Sequence, residues 1–266
     1  MAYVFTILGC GSSGGVPRVG QGWGACDPDE PRNRRRRCSL LVERFADGDA
    51  QPTRVLIDTS PDLREQLLGV GVDRLDGVLF THEHADHTHG IDDLRPLTIM
   101  HRRRINVHVD AETSAVLHQR FGYCFETPPG SDYPPILAEH RFRNGDTIRI
   151  DGPGGPIEAT AFQQYHGNII SYGFRIAGLA YSSDLHDLPD DSLHHLEGLD
   201  MWIVDALRIT PHPTHFSLSE ALGWIARMKP RRAVLTNMHT DLDYATVSRG
   251  LPEGIVAAYD GLKITI

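Results

Sequence analysis

The sequence predicts a layered α/β fold, with sheet packed on sheet and helices outside. Three observations carry this. Short β-branched or apolar runs recur along all 266 residues; the early ones follow each other as closely as hairpins do, and the later ones alternate with amphipathic helical stretches. No Pro/Ser-rich linker and no solenoid-length repeat divides the chain, so residues 1–266 read as a single domain.

The strands expected in order are Tyr3–Leu8, Ser39–Val42, Val55–Ile57, Gly77–Phe80, Ile105–Val109, Thr147–Ile150, Ile169–Phe174, Met201–Val204, Ala233–Leu235 and Leu262–Ile266. Ala46-Asp47-Gly48 supplies a turn between the second and third. Helices are expected over Ser60–Val70, Asp110–Phe121 and Ser217–Met228. The first opens on a serine and an early acid, and in the last Leu218, Leu222, Ile225 and Met228 share one face. Gly9–Arg37 is too long and glycine-rich to be only a connector, and Phe125–Pro135, with four prolines, reads as an extended surface loop.

Composition narrows the function classes. The chain has 26 basic and 35 acidic side chains, a net charge of -9, which argues against a general nucleic-acid or membrane-surface binder. No apolar run reaches the ~20 residues of a membrane helix. The opening MAYVFTILGC lacks the charged region of a lipoprotein signal and alternates as a strand does. Four separated cysteines without a CxxC pair read as reduced thiols, and the expected location is cytoplasmic. The unusual count is histidine, at 15.

Two glycine motifs overlap at residues 9–15: G-x-G-x-x-G and G-x-S-x-G. Each requires an immediate helix, and Val16-Pro17-Arg18-Val19-Gly20 is not one, so neither a dinucleotide turn nor a nucleophile elbow is expected. A glycine-rich turn remains, either a plain tight turn or one whose backbone N–H groups approach an anion. The run Arg32–Arg37 holds five arginines; in an acidic chain without interleaved aromatics it is expected to be mainly solvated, with room for one or two arginines to face an anionic substrate.

The specific signal is Thr81-His82-Glu83-His84-Ala85-Asp86-His87, entered from the apolar strand Val78-Leu79-Phe80. On extended chain His82 and His84 point to one side, and Asp86 and His87 follow in a turn where they can address a second point. Imidazole and carboxylate donors suit zinc, manganese or iron. Aspartate at position 86 excludes the helical H-E-x-x-H pattern.

This H-x-H-x-D-H stretch resembles the metallo-β-lactamase superfamily. Residues 9–17, Cys38-Ser39, Ser182-Ser183-Asp184 and Ala258-Tyr259-Asp260-Gly261 make the chain similar to the branch containing the phosphoribosyl cyclic phosphodiesterase of carbon–phosphorus lyase pathways, a relative of the tRNA 3′-processing endonuclease. The resemblance spans essentially the whole chain. It implies a four-layer αβ/βα sandwich with two divalent metal ions, zinc or manganese, between the sheets. His82, His84 and His166 would hold the first ion, Asp86 and His87 the second, and Asp184 would bridge them. Where relatives carry a histidine after Leu-Thr, this chain has Asn237; His239, two residues on, is expected to replace it, with Asn237 as the alternative. The first long loop offers only Cys26, so the cysteine-rich structural zinc of some relatives is not expected.

The resemblance further implies phosphodiester hydrolysis by a metal-bridging hydroxide between ions ~3.5–4 Å apart. Asp86 and His215 are the expected catalytic residues, His215 as general acid just before the Ser217–Met228 helix, with His212 as the lesser candidate. Asp58 is expected either to orient a metal-binding histidine or to cap the following helix. The expected partner is a small cyclic or nucleotide-like phosphodiester, with no membrane and no stable nucleic-acid partner; the resemblance leaves room for a homodimer. The alternatives are an RNA 3′-processing hydrolase, β-lactam or thioester hydrolysis on the same scaffold, and a catalytically silent nucleotide or metal sensor.

Overall fold

The computed structural model describes residues 2–46 and 51–266. Fourteen strands among them form two seven-stranded sheets. The first has the order β14-β1-β2-β3-β4-β5-β6: Lys263–Thr265, Ala2–Gly9, Ser39–Phe45, Thr53–Ile57, Gly77–Leu79, Ile105–Val109 and Leu137–Arg141. The second has the order β13-β12-β11-β10-β9-β8-β7: Ile255–Ala257, Arg232–Thr236, Met201–Asp205, Leu179–Ser182, Ile169–Ile176, Ile157–His166 and Thr147–Ile150.

Each sheet changes character halfway. In the first, β14, β1, β2 and β3 pair antiparallel, and β3 to β6 run parallel. In the second, β7 to β10 are antiparallel and β10 to β13 parallel. Parallel neighbours need crossover connections, and these carry the helices. The hairpin turn expected at Ala46-Asp47-Gly48 falls largely on residues 47–50, outside the described residues, although β2 and β3 pair in antiparallel register, Val42 opposite Val55.

Strand alternation builds the layers. Leu40, Val42, Val55 and Ile57 of the first sheet pack with Ile157, Phe174, Met201 and Ile203 of the second in one central core. Leu41, Leu56 and Val78 point the other way, onto Leu63, Leu67 and Leu117 of outer helices, and Trp202, Val204 and Leu235 meet Ala221 and Ile225 on the opposite side. Helix, sheet, sheet, helix is the expected αβ/βα sandwich.

Element ends show local control. The first helix begins at Leu63, later than expected, because Ser60 Oγ is engaged in a turn, accepting from Asp62 N and donating to Gln66 Oε1; it stops at Gly71, whose φ of 69° is open to glycine. The helix Ala111–Phe125 is capped by Asp110 and runs past Phe121, where the backbone kinks. The helix Leu218–Met228 opens with a capping box, Ser217 and Glu220 each bonding the other's backbone N–H.

The long Gly9–Arg37 loop is a strap tied to the strand ends. Gly11 N donates to Arg36 O, Val16 and Arg35 exchange backbone hydrogen bonds, and Met238 N donates to Cys10 O. The approach is so close that a Cβ at Gly9 would lie 2.0 Å from Arg37 O. The expectation of a mainly solvated arginine run is corrected here. Arg35 is buried and donates to Leu242 O, Asn33 Oδ1 and His239 O, Arg36 pairs with Asp260 and Arg37 with Asp62. Buried carbonyls beside the strap and the half-buried carboxylates of Asp260 and Asp62 need donors, and a multi-donor guanidinium meets that need. Arg32 and Arg34 remain exposed, Arg32 over Tyr244 and Arg34 over Trp23. The four cysteines are free and buried, and among the described residues no helix is long and apolar enough to cross a membrane.

Candidate metal centre

Carboxyl ends of strands from both sheets converge on one place, where loops are free to turn inward. Asp58 follows β3, His82 lies three residues beyond β4, His166 ends β8, Asp184 follows β10, Asp205 ends β11 and Asn237 follows β12. His84 starts the short helix Ala85–Thr88, which contains Asp86 and His87. Asp58 and Asn237 both adopt positive φ, 63° and 61°, a conformation that Asp and Asn tolerate better than most residues.

Donor atoms of His82, His84 and His166 lie within 4.8 Å of one another, as do those of His82, His87 and Asp184, and of His166, Asp184 and His215. His166 Nε2 is 3.2 Å from His84 Nδ1, and His87 Nε2 is 3.0 Å from Asp184 Oδ2 and 3.4 Å from Asp86 Oδ2. His82 Nε2, His87 Nε2 and Asp184 Oδ2 are buried and make no hydrogen bond of good geometry, although His87 Nε2 and Asp184 Oδ2 face each other as an ion pair. Buried polar atoms without partners are costly, and three aimed at one another are what a cation would satisfy. The His/Asp clusters fit metal binding.

Protonation supports the same use. Burial, then repulsion from His87, holds His82 well below the ordinary histidine range, and burial brings His166 down to about 4 against the pull of Asp184. Both rings therefore keep free lone pairs at neutral pH. His87 is opposite: burial lowers it, but Asp184, Asp86 and Asp58 together raise it well above the usual value. Asp184 is pushed up by burial, yet His87 and His215 carry it well below. A buried histidine whose proton is held in place by three carboxylates marks where positive charge is wanted.

The supporting shell is ordered. Asp58 Oδ2 accepts from His87 Nδ1 at 2.7 Å and from Thr81 Oγ1 at 2.7 Å, while Oδ1 accepts from Thr81 N at 2.8 Å. Asp58 therefore fixes the His87 ring and its tautomer and does not cap the first helix. His166 Nδ1 donates to Thr214 O at 2.7 Å. His215 Nδ1 is 2.7 Å from Asp205 Oδ2, a partner that sequence reading missed. Its only sequence signal was an acid at the end of an apolar strand, Met201–Val204, the same signal that singled out Asp58.

His239 stays outside the three donor groups. It lines the pocket that opens onto the cluster, but its Nε2 accepts from Arg18 Nη1 and its Nδ1 faces Thr240 and Asp241. Asn237 is buried nearer the cluster: its Nδ2 donates to Ser183 O at 2.9 Å and approaches Asp184 Oδ1 at 3.4 Å. His212 is 5.2 Å from His215 between ring centroids, and its Nδ1 is held by Thr214. A pocket of about 300 Å³ opens onto the cluster, reached by His84, Asp86, His166, Asp184 and His215.

A sandwich of two half-antiparallel sheets with a His/Asp cluster at its strand ends defines a class. Residues 53–238 match the β-lactamase superfamily domain, and the chain belongs to the metallo-β-lactamase superfamily. Within it, the chain is similar to the crystal structure of a new diphosphatase from the PhnP family, with a TM-score of 0.88 and 35% identity over 100% of this chain and 98% of that one. Zn²⁺-bound PqqB from Methylobacterium extorquens shares the fold, with a TM-score of 0.72 and 18% identity over 98% of this chain and 99% of that one. A Porphyromonas gingivalis protein named octanoyltransferase is 32% identical over 98% of this chain but only 51% of its own, so the chain spans about half the length of that curated relative. The family match and the 35% identity relate the chain to a PhnP-family diphosphatase within the superfamily, and its His/Asp clusters fit metal binding.

Proposed function

We propose that the chain is a metal-dependent phosphodiesterase acting on a small cyclic or nucleotide-like phosphodiester. The observation that carries this reading is one pocket of about 300 Å³ lined by His84, Asp86, His166, Asp184 and His215, with His82 and His87 clustered against Asp184 and with Asp205 paired to His215. The pocket is at the lower end of small-ligand sites and does not suit a bulky polymer.

His82, His84 and His166 would hold one divalent ion, and His87, Asp86 and Asp184 a second. When bound, such ions supply a nucleophile at neutral pH and neutralise charge on phosphoryl oxygens. The chain's own residues do the rest. Asp58 keeps the His87 ring oriented, and Thr214 O does the same for His166. His215, its Nδ1–H held by Asp205, presents Nε2 for donation to the departing alkoxide, the task of a general acid. In this reading His239 is not a ligand, which revises the expectation drawn from spacing.

The similarity to a diphosphatase favours a second substrate class, a phosphoric anhydride, on the same groups. The test is one panel on metal-loaded protein: bis-p-nitrophenyl phosphate, 2′,3′-cyclic nucleotides, phosphoribosyl cyclic phosphate, a dinucleoside diphosphate, a 3′-extended tRNA and an octanoyl thioester. Preferred turnover of a small diester supports the proposal. Turnover of the anhydride, the tRNA or the thioester alone replaces it, and turnover of none with metals bound points to a sensor.

A further inference from the structure

The pocket wall formed by the strap carries groups that the reaction scheme above does not use. Ser12, Ser13 and Arg18 of the strap, with Arg208 from the loop after β11, line the pocket beside Asp86, Asp184 and His215. Arg18 donates to the His239 ring, and among the described residues no carboxylate pairs with it. Arg208 spends its guanidinium on backbone, Nε on Thr210 O at 3.0 Å and Nη2 on Pro211 O at 2.6 Å, again without a counter-ion. Ser12 is 3% exposed and its Oγ has no hydrogen-bond partner. Two cations without a carboxylate partner and a buried hydroxyl without a hydrogen bond line one small cavity, the set of donors that binds an anion.

The glycine motif at residues 9–15 acquires a role here. A Cβ at Gly14 would lie 2.3 Å from Arg18 Nε and 2.9 Å from its Cζ, so only glycine leaves the guanidinium where it is. Arg18 is thus placed by two devices: the missing side chain at Gly14 on one side and the acceptor nitrogen of His239 on the other. Such packing fixes a flexible side chain before a ligand arrives, which lowers the ordering cost of binding.

We propose that Ser12, Arg18 and Arg208 form the anion-binding half of the pocket, seating the phosphoryl oxygens of the substrate, with Gly14 and His239 as the residues that position Arg18. The identity of the anion as phosphate rests on the phosphodiester reading; the existence of the site does not. Specificity for phosphate esters over neutral esters would then come from the strap together with Arg208 of the loop after β11.

The test is calorimetric titration of metal-loaded protein with inorganic phosphate, alongside metal content and steady-state kinetics on the best diester. Arg18→Ala is expected to weaken phosphate binding about 10- to 100-fold, the range for loss of a charge-assisted hydrogen bond. Bound metal stays unchanged, and KM rises more than kcat falls. Arg18→Lys recovers part of the affinity. Gly14→Ala loses it although Arg18 is present, and His239→Ala weakens phosphate binding with full metal content. Wild-type phosphate affinity in Arg18→Ala overturns the proposal, and so does loss of metal in His239→Ala, which would make His239 a ligand. If Gly14→Ala does not fold, the two Arg18 variants decide alone. Arg18-dependent phosphate binding without any diester turnover sinks the activity reading and leaves the anion site standing.

Discussion

Nδ1 of His215 lies 2.7 Å from Oδ2 of Asp205, and that carboxylate is wholly buried at the end of β11. Burial pulls the imidazole down, but Asp205 and then Asp184 more than reverse this and lift it to about 9. Burial pushes Asp205 up to about 7 against the pull of His215. The pair therefore holds its proton on the imidazole at neutral pH, which is the state a proton donor needs.

Asp205→Asn removes the charge that raises His215, so the imidazole loses its proton at lower pH. The alkaline limb of the pH–rate profile is expected to move to lower pH, and turnover of a diester with a poor leaving group to fall about 100-fold or more. A p-nitrophenolate leaving group needs no donated proton and is expected to change little. Equal losses on both leaving groups would assign Asp205 a structural role instead.

Asp58 gives a prediction about metal, not turnover. It holds His87 Nδ1 at 2.7 Å while fixed itself by Thr81, and it is fully buried. Asp58→Ala is expected to lower divalent-ion affinity about 10- to 100-fold, measured by chelator competition. Asp58→Asn should do less harm, because the amide oxygen can still accept from His87. Unchanged affinity in both would mean that packing alone orients the ring.

How much of this was legible follows from range. The strands that fill the core carry runs of Val, Ile and Leu and were read from local pattern. Leu137–Arg141, Ile157–His166, Leu179–Ser182 and Ile255–Ala257 are not among the expected strands: alanine, glutamine and charged residues dilute the alternation of the first three, the last is only three residues long, and sheet neighbours decide their state. His82, His84, Asp86 and His87 were visible since a strand end and a turn set their spacing. Asp205 and Arg18 were not, since each is singled out by a partner, His215 or His239, that only the tertiary fold brings near. For the same reason the spacing did not show that the His239 ring lies outside the three donor groups, with its Nε2 against Arg18. The positive φ of Asn237 breaks the extended geometry on which a two-residue spacing argument depends.

The arginine run supplies a stability prediction. Arg35 Nη2 donates to Leu242 O at 2.7 Å and to Asn33 Oδ1 at 3.2 Å, in the interior of the strap. Arg35→Met keeps much of the volume but leaves those acceptors buried and unpaired. The expected cost is about 3 kcal/mol, read as a lower urea midpoint at unchanged slope. A midpoint within error of wild type would mean that water replaces the guanidinium at no cost.

His108 on β5 makes the acid response of the metal-free protein partly traceable. Burial, then repulsion from His140, holds it at about 4, against about 6.5 in an unfolded chain. The unfolded state therefore binds a proton that the folded state refuses. This contribution to stability is fully present above pH of about 6.5 and is lost as pH falls towards about 4, the linkage for a depressed pKa. His82 and His166, also held neutral by burial, act in the same direction. Urea unfolding of metal-free protein at several pH values across this window should show stability falling with acid, and more shallowly in His108→Asn. A variant that loses stability as steeply as wild type would show that His108 titrates normally and that the slope belongs to the metal-binding histidines.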